Sequence, residues 1–325
     1  MTEKKRAERN RTLTISENEI PELMKNISSL EDLKKNSVYE NKIFNCDVLE
    51  ALSSLPDEMA DLMIIDPPYN LSKNFGGKKF NAMNDQDYET YVDSWLGMAC
   101  RKLKKNGSLY LCGDWKCTSV LQRCLEKHLT IMNRITWQRE KGRGAKSNWK
   151  NGMEDIWFAV KDPDDYYFDI ESVKQKRKVI APYKENGKPK DWQETDDGNF
   201  RLTYPSNFWD DISIPFWSMP ENTDHPTQKP EKLYAKLILA SCKEGGLVLD
   251  PFLGSGTAAV TAKKLGRRYC GIELSKEYCL YSAKRLLLAD ENKSIQGYSD
   301  GVFWERNSAP AGNSGKCKPS QGELF

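Results

Sequence analysis

Asp66-Pro67-Pro68-Tyr69-Asn70 directly follows the apolar run Leu62 to Ile65. A carboxylate, a backbone carbonyl and an aromatic face thus fall within one short turn. A Pro-Pro pair carries no amide hydrogens on a stiff backbone, which leaves the Pro67 carbonyl to accept a hydrogen bond from something else. An amino group fits that description. An extruded base needs hydrogen bonds on its edge and stacking on its plane, and Asp66, Pro67, Pro68 and Tyr69 are therefore the candidate catalytic residues. The same residues also suit an ordinary turn leaving a strand.

Leu247-Val248-Leu249 runs into Asp250-Pro251-Phe252-Leu253-Gly254-Ser255-Gly256-Thr257. This reads as a strand, a glycine turn and a helix start. Glycines let a backbone approach a ligand closely, and a helix N-terminus favours an anionic group such as a carboxylate. Neither the phosphate-loop spacing nor the dinucleotide G-x-G-x-x-G spacing is present. About 20 residues past such a turn, a strand-end carboxylate commonly binds ribose hydroxyls, and Glu273 stands there after Gly271-Ile272. The pairing points to a nucleoside-containing cofactor. A close strand-helix turn and a solvated or capping glutamate are the plainer readings.

The elements that must position these groups alternate. Strand patterns cover residues 42–46, 62–65, 108–112, 131–137, 155–160, 247–249 and 269–272, with helical patterns at 48–55, 86–103, 118–127, 230–242, after Gly256 and at 276–288. This rhythm predicts one parallel sheet covered by helices. Residues 1–40 read as a polar surface extension, 41–160 and 225–290 as two halves of one core, 161–224 as an insertion without sustained period, and 291–325 as a flexible tail.

Composition excludes several classes. The chain has 325 residues, 38% hydrophobic and 30% charged, and holds no apolar run that could span a bilayer. Residues 1–11 are charged and lack a secretory apolar stretch, which points to the cytoplasm. Nine scattered cysteines without a C-x-x-C pair read as free thiols, and with only His128 and His225 available, no metal site is expected.

Arg139, Lys141, Arg143, Lys146 and Lys150 crowd a stretch that also contains Trp149. They read as a phosphate-contact loop for DNA, or more plainly as a solvated face. Trp192, Trp209 and Trp217 in the insertion either read base edges or belong to a core.

Taken together, Asp66-Pro67-Pro68-Tyr69 and the run from Asp250 to Thr257 resemble the catalytic and cofactor motifs of DNA amino-methyltransferases. With the catalytic motif first, the insertion next and the cofactor motif last, the order resembles the beta class of that family. The resemblance implies a Rossmann-like α/β fold with a mostly parallel seven-stranded sheet and an inserted target-recognition region. It implies S-adenosylmethionine as cofactor, double-stranded DNA as substrate and methyl transfer to adenine N6 or cytosine N4. The Asp form of the tetrad is the commoner one among adenine enzymes. His225-Pro226-Thr227-Gln228-Lys229-Pro230 resembles the element that holds the methionine part, giving His225, Thr227 and Lys229 that role. Cys46 and Asp47 match the place of contact with the cofactor adenine, and Asp66, Asp250, Phe252, Gly254, Ser255, Gly256, Thr257 and Glu273 complete the expected cofactor set. Plainer readings remain: Asp47 as a helix cap, and His225 and Lys229 in a surface loop. Carbon-5 cytosine methylation is set aside, because its nucleophilic cysteine follows a proline and the sequence has no Pro-Cys pair. The class further implies a homodimer and a cognate restriction endonuclease. Gln321-Gly322-Glu323-Leu324-Phe325 is similar to short peptides that dock on bacterial sliding clamps.

Overall fold

The computed structural model describes residues 7–36, 38–75, 78–139, 147–179, 183–195 and 198–305. All seven runs expected as strands form, and they share one sheet. In spatial order the sheet comprises Ile27–Ser28, Lys42–Asn45, Arg268–Glu273, Leu247–Asp250, Ala60–Ile65, Leu103–Gly113, Met153–Val160, Thr130–Gln138 and Phe208–Trp209. Met153–Val160 runs antiparallel to both neighbours, and every other pairing is parallel. The seven expected strands make the body of the sheet, and a two-residue strand extends each edge.

Strands covered on both faces read as continuous apolar runs rather than alternating ones. Leu62, Met63, Ile64 and Ile65 accordingly have no exposed surface. On one face Leu52, Trp95, Leu96 and Leu121, from helices Val48–Ser54, Asp85–Lys102 and Thr118–Glu126, build one apolar cluster. On the other, Leu233, Ile238, Val260 and Leu286 come from Glu231–Ser241, Thr257–Lys264 and Lys276–Glu291.

Ala60–Ile65 lies between Leu103–Gly113, which follows it in the chain, and Leu247–Asp250, which returns much later. The chain therefore changes direction across the sheet here. In open α/β sheets a crevice forms outside the carboxyl ends of the strands at such a switch point. Asp66 directly follows one of the two strands that meet there, and Asp250 ends the other.

Three expectations about the periphery need correction. The N-terminal segment is not a mere surface extension: Ile27 pairs with Ile43, and Leu23 and Leu33 are buried. Ile27–Ser28 pairs along the edge of Lys42–Asn45, which would otherwise present unpaired backbone. The insertion does contain strands. Gln175–Lys178, Gln193–Thr195 and Gly198–Thr203 form a five-stranded sheet with Tyr298–Ser299 and Val302–Trp304. The beginning of the expected tail is thus ordered, with Phe303 and Trp304 buried and the Trp304 carbonyl accepting from Lys232 Nζ. Residues 321–325, with the clamp-like peptide, lie outside the described residues. Among the described residues, no helix is long and apolar enough to cross a membrane.

Candidate active site

A cavity of about 640 Å³ opens at the switch point. Asp66, Pro67, Pro68 and Tyr69 border it from the end of Ala60–Ile65, and Cys46 and Asp47 from the end of Lys42–Asn45. Phe252, Gly254, Ser255 and Thr257 enter from the glycine turn, Glu273 from its own strand end, and His225, Thr227 and Lys229 from the loop before Glu231–Ser241. Fourteen of the expected site residues therefore surround one space. Asp250 and Gly256 do not border it. Asp250 is buried, which pushes its carboxyl well above the usual range, and its Oδ1 accepts from the Phe252 amide at 2.9 Å. Gly256, at φ +88°, packs so closely on the last helix that a β-carbon would stand 2.6 Å from Ser282 Oγ. Both shape the turn from behind.

In the tetrad, the Tyr69 hydroxyl donates to Asp66 Oδ1 at 2.8 Å, and Lys229 Nζ donates to Asp66 Oδ2 at 2.6 Å. Burial, reinforced by the Asp66 carboxylate, pushes the Tyr69 hydroxyl well above its ordinary ionisation range, so it remains a donor. The Tyr88 hydroxyl donates to the Pro68 carbonyl at 2.9 Å, fixing the turn. Asn70 clasps Met83 through two hydrogen bonds of 2.8 and 2.7 Å, and Leu71, Lys73, Lys79 and Phe80 border the cavity beside them.

The cofactor side is equally tied down. Glu273 accepts from the amides of Gly254 at 2.8 Å and Ser275 at 2.7 Å, and burial raises its carboxyl. Gly254 adopts φ +54°, where a β-carbon would meet His225 Nε2 at 3.0 Å, so only glycine keeps this wall open. Burial lowers His225 to about 4. The neutral ring accepts from the Thr227 amide through Nδ1 at 3.3 Å, which places its hydrogen on Nε2. The Thr257 hydroxyl donates to the Lys229 carbonyl at 3.0 Å, linking the glycine turn to that loop. Asp47 accepts from the Leu49 amide at 2.8 Å and does cap its helix, while also bordering the cavity. The Cys46 thiol is pushed up to about 11 by burial and stays protonated.

The basic stretch divides. Arg139 pairs with the buried Glu154 carboxylate beside the tetrad instead of facing solvent, whereas Lys150 and Trp149 are exposed. Lys141, Arg143 and Lys146 lie outside the described residues. Trp192 and Trp209 are buried, with indole nitrogens donating to the carbonyls of Tyr183 and Ser206, and Trp217 is exposed.

Three residues outside the expected set support the site. Glu154 lies behind Tyr69, with Oε2 3.3 Å from its hydroxyl. Asn45 pins the carbonyls of Glu273 and Leu274. Arg285, paired with Glu231, donates to the Ser255 carbonyl at 2.8 Å beneath the glycine turn. Asn45 belongs to the run Asn45-Cys46-Asp47 that the family resemblance places at the cofactor adenine, whereas no local pattern marked Glu154 or Arg285.

The fold and the cavity define a doubly wound α/β protein with a large cleft at its switch point, bordered by the Asp66 tetrad and the glycine turn. The chain belongs to the DNA methylase family (N6_N4_Mtase), whose profile matches residues 60–284. It is 32% identical over 249 residues to type II methyltransferase M.HpaI of Haemophilus parainfluenzae, covering 76% of this chain and 74% of that one. To DNA adenine methyltransferase YhdJ of Escherichia coli K12 it is 33% identical over 254 residues, covering 76% and 83%. Among solved structures, PvuII DNA methyltransferase (cytosine-N4-specific) matches at TM-score 0.58 and 20% identity, over 75% of this chain and 85% of that one. The complex of M1.HpyAVI with SAM matches at TM-score 0.53 and 23% identity, over 75% and 98%. These two matches concern the fold. DNA is the family's substrate and S-adenosylmethionine its methyl donor, and the cavity beside Glu273 and Gly254 fits a nucleoside joined to an amino acid.

Proposed function

We propose that the chain is a beta-class, site-specific adenine-N6 DNA methyltransferase that flips its target base out of duplex DNA. The observation that carries this reading is the meeting of Asp66, Pro67 and Tyr69 with Gly254 and Glu273 around one cavity. An exocyclic amino nitrogen is a poor nucleophile because its lone pair is delocalised into the ring. Asp66 and the Pro67 carbonyl accept its two hydrogens and favour a tetrahedral nitrogen, while the Tyr69 ring supports the base plane. When bound, S-adenosylmethionine supplies an electrophilic methyl on a sulfonium. The protein's contribution is then positioning and preorganised electrostatics, without a covalent enzyme intermediate. The nitrogen becomes acidic as it is methylated, so no strong base is needed to take its proton.

Glu273 is assigned to the ribose hydroxyls, Cys46 and Asp47 to the adenine end, and His225, Thr227 and the glycine turn to the methionine end of the cofactor. Lys150, with Lys141, Arg143 and Lys146, is assigned to DNA phosphates, and residues 161–224 to target recognition. Adenine is favoured by the Asp form of the tetrad and by similarity to a relative named DNA adenine methyltransferase. Similarity to type II methyltransferases supports a restriction-modification setting in a bacterial cytoplasm, with a cognate endonuclease. The homodimer and the sliding-clamp contact rest on resemblance alone. Long-read sequencing of DNA from cells expressing the chain tests the reading: methylated adenine at one recurring sequence is expected, and methylated cytosine would overturn it.

A further inference from the structure

Glu154 opens the reversed strand Met153–Val160 and is 1% exposed, yet it does not border the cofactor cavity. It lines a second cavity of about 120 Å³ together with Arg139 and Lys229. A carboxylate removed from water is costly unless it is paired and hydrogen-bonded. Here its Oε2 stands 3.3 Å from both Lys229 Nζ and the Tyr69 hydroxyl, and its Oε1 pairs with Arg139. Lys229 Nζ also donates to Asp66 Oδ2 at 2.6 Å and to the Tyr69 oxygen at 3.2 Å. Two carboxylates, two cations and one hydroxyl thus form one connected group, and Asp66 alone among its carboxylates reaches the cofactor cavity.

We propose that Glu154 is a positioning residue for methyl transfer, acting through Lys229 and Tyr69 on the direction in which Asp66 points. The proposal rests on the reading of Asp66 as the amino acceptor. Each Asp66 oxygen is held by a different partner, Oδ1 by Tyr69 and Oδ2 by Lys229, which fixes the carboxylate plane and leaves its remaining lone pairs for the amino hydrogen. Glu154 draws Lys229 toward the rear of the site. Without that pull, the ammonium is free to bridge both Asp66 oxygens and compete with the base for them. Catalytic groups tolerate displacements of only about 0.5 Å or 10–20°, so such a rotation acts on the chemical step rather than on binding.

Single-turnover methyl transfer from S-adenosylmethionine to duplex DNA tests this with Glu154→Gln, Lys229→Met and the double variant. Each single variant is expected to slow transfer about 10- to 100-fold, and in Glu154→Gln, which alters no residue bordering the cofactor cavity, the dissociation constants for cofactor and DNA should change less than about twofold. Glu154→Asp should restore part of the rate. Because both residues act through Asp66, the double variant should be no slower than the slower single one. An unchanged rate in Glu154→Gln, multiplicative losses in the double variant, or a loss confined to cofactor or DNA affinity would overturn the proposal. Should Glu154→Gln not fold, combining it with Arg139→Gln removes one charge of each sign and carries the same expectations. Absence of transfer by the wild-type chain would instead refute the reading of Asp66, which keeps the two failures apart.

Discussion

Lys229 Nζ stands 2.6 Å from Asp66 Oδ2, although 163 residues separate the two in the chain. The loop before Glu231–Ser241 crosses the carboxyl end of Ala60–Ile65, so an ion pair joins the catalytic and cofactor halves at the switch point. Sequence reading gave Lys229 to the cofactor's methionine part. It borders that cavity, and its ammonium is also paired with the Asp66 carboxylate. Because Lys229 is nearly buried, removing its carboxylate partner leaves an ammonium without its closest counter-charge.

That arrangement sets the first prediction. Asp66→Asn keeps the shape and one acceptor oxygen but removes the charge opposite Lys229. Methyl transfer should fall by about 10²- to 10³-fold, the usual effect of losing one preorganised group, while cofactor affinity changes only a few-fold. Single-turnover rates alongside calorimetric cofactor titration check both.

Glu273 and Gly254 should behave in the opposite way. Glu273→Gln retains one acceptor for the Gly254 amide but loses the charge proposed to face the ribose. Cofactor binding should weaken about 10- to 100-fold, as expected for charge-assisted hydrogen bonds. Gly254→Ala should weaken it too, since the methyl group meets His225 and the backbone conformation is left-handed. Calorimetry on the two variants, with DNA binding unchanged, is the check.

Two partly buried groups predict distinct pH responses. His225 is held at about 4, below its usual 6.5. Its contribution to stability is therefore complete above pH 6.5 and is lost as pH falls toward 4. Cofactor affinity, which meets a neutral ring throughout, should be flat between about pH 5.5 and 8 as far as His225 governs it. A titration of the dissociation constant across that range tests it.

Burial, with Glu231 nearby, raises Glu221 to about 7. A carboxyl raised in the folded state contributes stability that is present below its unfolded value of 4.5 and is lost as pH rises through 7. The melting temperature of the wild type should therefore fall between about pH 4.5 and 7 relative to Glu221→Gln, which can still accept from the Glu231 amide. Parallel melting curves for the two proteins across that window would refute the assignment.

Residues 298–304 are structural. Phe303 has no exposed surface and packs with Ala235 and Leu239 of Glu231–Ser241. Phe303→Ala should destabilise the protein by about 3–5 kcal/mol, the range for truncating a buried phenylalanine. Urea unfolding measures it, and a change near zero would return this segment to the status of a loose tail.

The central layers were legible because strands buried on both faces leave apolar runs, and the flanking helices keep a helical period. Gln175–Lys178 was not, since Gln-Lys-Arg-Lys has no alternation and its partner strand Val302–Trp304 lies far along the chain. The tetrad and the glycine turn could be read because their unusual residue types sit together at strand ends. Glu154 could not: a glutamate entering a strand looks like a solvated charge until Arg139 and Lys229 are seen to enclose it. Asp250 and Gly256 matched a ligand pattern, but their contacts serve the turn itself, which a linear motif does not separate from ligand contact.

The central claim is transfer of a methyl group to the adenine amino group of duplex DNA. Incubating the protein with unmethylated duplexes and S-adenosylmethionine labelled in its methyl group, then digesting the DNA and identifying the labelled nucleoside, tests it most directly. The account predicts label in N6-methyldeoxyadenosine. Label in N4-methyldeoxycytidine, or none in DNA from an enzyme that binds the cofactor, would contradict it.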